Sequence, residues 1–315
     1  METKTLIIII LSIITSISIS LFAITFKDAK DDWFSWNINL LWILPMMLIL
    51  NISIWTITAY LRKIAMRYSG FNEQDIKLVF GPRDDFDLEY FKNNYNVRKI
   101  KMIDGWCRKS NHIITSIINL LLITTWIDDE SLKYQVAFLG QLVNVFISYF
   151  TLYSKNRLSF PLYGSSSRIR DGTMGRINLL VVRYVSLCTV ISIGSIMSII
   201  DGNDDEKNLL LAIIYIPTAF GDAAGELVGS TWGYHDFKVY GIGEINKKSI
   251  EGTIAVFFFS IFPMLIVIWV RNQFDKLLLI FIISIQSTIL EVVSIRSTDN
   301  FLLPIMNAFV VYLRN

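Results

Sequence analysis

The sequence predicts an all-α, polytopic integral membrane protein with about nine transmembrane helices, in a range of seven to nine, and three observations carry that reading. Of its 315 residues 53% are hydrophobic and only 18% are charged, whereas about a quarter of a soluble domain is charged. Residues 5–25, 38–60 and 179–200 are long runs with almost no charge, the length that a hydrocarbon core roughly 30 Å thick demands of a spanning helix. Lys and Arg also fall unevenly between alternate loops, which is how a chain is oriented across a bilayer.

Taken in order, the hydrophobic segments lie at 5–25, 38–60, 112–127, 134–153, 179–200, 209–230, 252–270, 276–293 and 301–313. The first is read as a retained helix. Its apolar stretch outruns a secretory leader, and Ser18, Ile19 and Ser20 are followed by more apolar residues instead of a cleavage boundary. The third and the last are short for a perpendicular crossing. Three regions follow: a pair of N-terminal transmembrane helices at 1–60, a loop with short interfacial helices at 61–111, and a membrane-embedded body at 112–315. The interfacial helices are expected in "GPRDDFDLEYFKNN", where turn formers give way to mixed charge.

With a cytoplasmic N-terminus, the loops 61–111, 154–178, 231–251 and 294–300 face the cytoplasm with 11, 5, 3 and 1 Lys/Arg. The opposite loops, 26–37, 128–133, 201–208 and 271–275, carry 2, 1, 1 and 1, and "KDAKDDW", "DDESLK" and "DGNDDEKN" are acidic. The polar motifs therefore face the cytoplasm. A net charge of +2 with no basic tail excludes a nucleic-acid partner, and Cys107 and Cys188 offer neither a disulfide framework nor metal spacing.

Ionisable groups in or beside hydrocarbon are expensive, so each is a candidate functional residue. Asp222 and Glu226 are one turn apart on one helix face, and a divalent cation between them would relieve their repulsion. Salt bridges to a basic loop are the structural alternative. Gly221, Gly225 and Gly229 recur every four residues, which suits close helix packing and also the approach of a second helix to that face. Pro217, just upstream, is expected to break the helix inside the membrane.

In "NKKSIEGT", Lys247, Lys248, Ser249, Glu251 and Gly252 stand at the start of a span. Two ammonium groups and a hydroxyl before free helix N–H groups make a phosphate cradle; a helix cap and lipid-facing lysines are the plainer alternatives. "GIGEINKKS" is not a Walker loop, because Asn246 occupies the place of the second glycine and no sheet strand precedes it. "RKSNH" sets Arg108, Lys109, Asn111 and His112 at the mouth of the third span, with His112 a phosphate donor, a proton acceptor or an interfacial hydrogen-bonding group. Glu291 and "RSTDN", Arg296 to Asn300, bring further polar groups to the same side; Asp299 and Asn300 cap a helix or contact metal and nucleotide.

These motifs carry a family resemblance. "GDAAGELVGSTWG" followed by "NKKSIEGT" resembles the C-terminal signature of the CTP-dependent polyprenol and isoprenoid alcohol kinases, the group of phytol kinase, dolichol kinase and the yeast-type CTP-dependent diacylglycerol kinase. That group is distantly related to the phosphatidate cytidylyltransferases. Asp222, Glu226, Gly229, Gly233, Lys248, Ser249, Glu251 and Gly252 match its motifs. "RKSNH" is similar to its Arg-Lys-x-x-His element, and "STDN" with Pro304 to its final polar motif. The resemblance covers about 215–305 and 106–127; Ser116 replaces a glycine frequent in the group, and two extra spans precede the motifs.

The resemblance implies that 112–315 is a catalytic domain transferring the γ-phosphoryl group of CTP to the hydroxyl of a membrane lipid alcohol. It implies Mg2+ at Asp222, Glu226 and Asp299, with Asp222, Glu226, Lys248 and His112 catalytic. Nucleotide contacts would come from Arg108, Lys109, Lys247, Lys248, Ser249, Glu251, Gly252, Gly229, Gly233, Asp299 and Asn300. The expected setting is a bacterial inner membrane, or the endoplasmic reticulum or a plastid membrane in a eukaryote. A CDP-lipid-forming cytidylyltransferase and a membrane transporter are the alternatives, though the Lys-Asp and Asp-Arg ending of the former is missing from 215–260.

Overall fold

A computed structural model of the chain describes residues 3–26, 39–81, 86–127, 130–153, 159–239, 246–294 and 298–314. The acidic "KDAKDDW" loop, Arg296 and the glycines of "GIGE" lie outside the described residues. Over their described residues the nine hydrophobic segments are almost entirely helical. The helices are α1 (Thr3–Phe26), α2 (Leu40–Tyr68), α3 (Glu73–Phe80), α4 (Leu88–Asn94), α5 (Val97–Leu121), α6 (Glu130–Tyr153), α7 (Ser159–Ser166), α8 (Gly175–Ile199), α9 (Asp204–Ile216), α10 (Asp222–Trp232), α11 (Ile250–Arg271), α12 (Leu277–Val293) and α13 (Asp299–Arg314). Five helical stretches are long and apolar enough to cross a membrane: Leu40–Tyr68, Ile177–Ile199, Asp204–Trp232, Ile250–Arg271 and Phe274–Val293. The protein is thus all-α with the character of a polytopic membrane protein.

The outward faces agree with a lipid solvent. Ile254, Phe258, Phe262, Ile266 and Trp269 of α11, with Leu278, Phe281 and Ile289 of α12, are exposed, a patch that water would drive to aggregate. Inside, Ile193 and Met197 of α8 pack with Leu210 and Ile213 of α9, Met264 of α11, Ile280 and Ile283 of α12 and Val311 of α13. Since lipid is as apolar as leucine, such helices are held by close packing and hydrogen bonds. Asn307 supplies the bonds. Its carbonyl oxygen accepts from Ser287 at 3.1 Å and its amide donates to the Ile214 carbonyl at 3.3 Å.

Ile214 lies in the turn before Pro217, where the expected break is not found. The chain passes from α9 into α10 through a π-helical turn, Pro217–Gly221, with helical dihedrals at both ends and Asp222 N–H donating to the Pro217 carbonyl. The wider turn takes up the proline that an α-helix could not, and π-turns re-aim the face that follows them. Asp222 is the first residue after it.

Between α2 and α5 the region at 61–111 holds two short helices. α4 lies within the stretch expected from sequence, whose residues 82–85 are outside the described ones, and α3 precedes it. Asn72, Asp87 and Asn96 cap α3, α4 and α5 by accepting backbone N–H groups. Phe71, Phe80, Phe86 and Phe91 form its own apolar cluster with Met66, Ile100 and Ile103. Burial and a hydrogen bond to Asp75 push the Tyr95 hydroxyl above the ordinary tyrosine pKa. Arg62, 1% exposed, pairs with Asp104 at 2.5 Å and donates to the Gly164 carbonyl at 2.9 Å, locking α2 to α5 and α7.

One departure from a purely helical reading sits between α10 and α11. β1 (Asp236–Val239) and β2 (Asn246–Ser249) form an antiparallel hairpin with Lys248 opposite Phe237 and Lys247 opposite Lys238. Below it α10 lies directly on α11. A methyl added at Gly225 would meet Val256, one at Gly229 would meet Ser249 Oγ at 3.0 Å, and one at Gly252 would meet the Gly225 carbonyl at 2.7 Å. The glycine stripe is a helix-packing seam. Replacing Gly252 by Ala should therefore force two backbones apart and lower stability by about 1–3 kcal/mol. Gly140→Ala, whose methyl meets nothing within 4 Å, should change it by less than about 0.5 kcal/mol in the same thermal unfolding experiment in detergent.

Candidate functional site

The polar segments at 108–112, 222–226, 248, 291 and 299 are far apart in the chain and meet at one place. α5 supplies Lys109, whose side chain is 3% exposed and ion-paired with Asp222, the residue that opens α10. Its ammonium is also 3.4 Å from Glu226. Glu226 further pairs with Arg108 and, at 3.3 Å, with Arg168, which follows α7. The i, i+4 carboxylates thus share a face as their spacing requires, but that face is turned to a wall of cations. Glu226 is a clamp on Arg108 and Arg168, and the structure does not bring it into a carboxylate pair around an ion.

Asp222 meets other acids instead. Oxygens of Asp222, Glu291 and Asp299 lie within 4.8 Å of one another. Glu291, in the last turns of α12, pairs through Oε1 with Lys248 at 2.8 Å, while its buried Oε2 has no hydrogen-bond partner among the described residues. Asp299 opens α13 and accepts the Asn300 N–H at 2.9 Å; among the described residues it has no cation within ion-pair distance. Three carboxylates so close, with Lys109 and Lys248 as their cations, hold an excess of negative charge and a free buried oxygen. That donor set fits a hard divalent cation, which takes carboxylate oxygens. Asn300 itself is anchored by its carbonyl, which accepts from Thr189 Oγ1 of α8 at 3.0 Å.

The "NKKSIEGT" motif divides. Successive strand residues point to opposite faces, so Lys248 turns inward to Glu291 while Lys247 is exposed on the outer face of the hairpin. Ser249 Oγ accepts the Gly252 N–H at 3.1 Å as the cap of α11, and Glu251 meets His235 at 2.6 Å. Gly229, Gly233 and Gly252 all pack around Ser249, where added methyl groups would collide with backbone or hydroxyl atoms. Of the residues expected as a phosphate cradle, Lys248 alone reaches the centre. The others build the seam and hairpin that carry it.

A cavity of about 600 Å³ opens beside the centre, lined by Arg108, Lys109, His112, Asp222, Asp299 and Asn300 among others. Among the described residues neither the buried His112 Nε2 nor the buried side-chain oxygen of Asn111 finds a hydrogen-bond partner. Comparison with family models, curated proteins and solved structures returns no match. The functional reading therefore stands on the site itself.

Two members of the centre were not singled out as site residues by sequence reasoning. Arg168 is one basic residue in a basic loop, and nothing local sets it apart. Glu291 does carry a signal: it is the lone acid of an otherwise uncharged apolar helix. Because Lys109 and Asp222 are both buried, removing either strands the other. Lys109→Met and Asp222→Asn should each cost about 3–5 kcal/mol in unfolding measurements, and the double variant much less than their sum. Additive losses would place the two side chains apart.

Proposed function

We propose that the chain is a membrane phosphotransferase that moves the γ-phosphoryl group of CTP to the hydroxyl of a lipid alcohol. The observation that carries this reading is the convergence of Lys109, Asp222, Lys248, Glu291 and Asp299 on one buried centre beside a cavity. The segments of Lys109, Asp222, Lys248 and Asp299 are among those whose order resembles the CTP-dependent isoprenoid alcohol kinases. Phosphoryl transfer is mainly a matter of positioning and charge neutralisation, and a balanced cluster of fixed ammonium, guanidinium and carboxylate groups supplies both.

In this reading Asp222, Glu291 and Asp299 hold Mg2+, which when bound offsets phosphate charge. Arg108 and Lys109 face the transferring phosphoryl group; Glu226 and Lys248 hold Arg108 and Glu291 in place. The bond from the γ-phosphorus to its bridging oxygen breaks, CDP leaves, and the acceptor oxygen bonds to phosphorus. The hydroxyl proton passes to His112, whose free Nε2 adjoins the cavity. The remaining helices α1, α5, α6 and α13 complete nine crossings, with the motifs toward the cytoplasm in a bacterial inner membrane or an endoplasmic reticulum or plastid membrane.

A transporter is the second reading, and the shape of the cavity favours it. The cavity is lined from Asp222 back to Asp204 and by Lys133 and Lys207, a run of roughly 27 Å along the helix at 1.5 Å per residue. Incubation of purified protein with γ-labelled CTP, Mg2+ and a panel of polyprenol, phytol and diacylglycerol acceptors separates the two. Label should enter one lipid and fall by at least about 100-fold in Asp222→Ala. Label in no lipid, or equal label in the variant, would overturn the phosphotransferase reading, and a CDP-lipid product would turn it to cytidylyl transfer.

A further inference from the structure

Arg183 stands outside the centre just described. It is the single charged residue between Ile177 and Ile199, a stretch long and apolar enough to cross a membrane. Its guanidinium lies over the Trp55 ring of α2 at 5.0 Å from the centroid, and its buried Nε has no hydrogen-bond partner among the described residues. Among the described residues no carboxylate comes within ion-pair distance of it, whereas Arg62, Arg108 and Arg168 each have one. Trp55, 2% exposed, has an indole N–H that is equally unpartnered.

A half-buried guanidinium with a buried, unpartnered Nε and no carboxylate within reach among the described residues, stacked on an indole with no acceptor, is costly twice over. Intramembrane arginines are kept where they meet a partner or a substrate. Arg183 and Trp55 both line the 600 Å³ cavity. Arginine is built for planar, forked recognition of oxyanions. The Arg183 guanidinium and the Trp55 indole N–H are both donors, and they lie against each other.

We propose that Arg183 and Trp55 form an oxyanion site of the phosphate type inside the cavity, on its α8–α2 wall and apart from the carboxylate trio. The chemistry stands on these side chains; the source of the oxyanion, whether a nucleotide, a phosphorylated lipid or free phosphate, rests on the phosphotransferase reading. Filling the site supplies the counter-charge that the protein withholds from Arg183. The guanidinium then no longer acts on the indole alone, and Trp55 reports the event.

The test uses the full chain in detergent, with tryptophan emission followed during titration with MgCTP, sodium phosphate or dioctanoyl phosphatidate. At least one probe should give a saturable change that Trp55→Phe and Arg183→Gln abolish and Arg183→Lys weakens about ten-fold; the responding probe names the source. In phosphate-free buffer Arg183→Gln should melt no lower than the parent, since it removes an uncompensated charge. No response to any probe, a response unchanged in Arg183→Gln, or a lower melting temperature of that variant without ligand would overturn the site. Arg183-dependent binding without phosphoryl transfer would sink the phosphotransferase reading and leave this site standing; transfer with Arg183-independent binding would do the reverse.

Discussion

The buried ion pair between Lys109 and Asp222 is the interaction on which the arrangement of the polar centre depends. It joins α5 to α10 inside the helical body, with both side chains almost wholly shielded. A lone carboxylate or ammonium there would cost several kcal/mol, so each side chain makes the other tolerable. With the pair in place, Asp222 faces Glu291 and Asp299, and Glu226 collects Arg108 and Arg168 one turn below. Specificity of assembly follows from the same cost, because any slip of α5 along α10 would leave charges unmatched.

The second constraint is steric. α10 presents acids to α5 and glycines to α11, and both faces are needed at once. Close contact at Gly225 and Gly252 brings the start of α11 against α10, and Ser249 fills the remaining space between the glycines. The alternation of the hairpin then sends Lys248 to Glu291. The glycines therefore act on the centre through the backbone that carries Lys248, without touching a ligand position.

Much of this was legible before any coordinates. The hydrophobic segments announced helices because long uncharged runs have few other fates in a chain this apolar. The polar motifs were legible as anomalies against that background. What escaped reading depended on pairing across the chain. Asp222 and Glu226 share a face by spacing alone, but which helix that face meets is a tertiary matter, so a metal pair and a salt-bridge wall were indistinguishable. Lys247 and Lys248 parted because a hairpin formed where a loop was expected, and a two-residue period separates neighbours that a coil would leave together. Pro217 was read as a break, yet a π-turn absorbed it with Asn307 bonding the preceding turn.

Residues of α10, α12 and α13 share one centre. Electron paramagnetic resonance of Mn2+ titrated into the purified protein tests it most directly, since Mn2+ replaces Mg2+ among oxygen ligands and reports its own coordination. The account predicts one bound ion per chain, lost alike in Asp222→Asn, Glu291→Gln and Asp299→Asn and retained in Glu226→Gln. An ion that survives all three substitutions, or no bound ion in the parent protein, would contradict it.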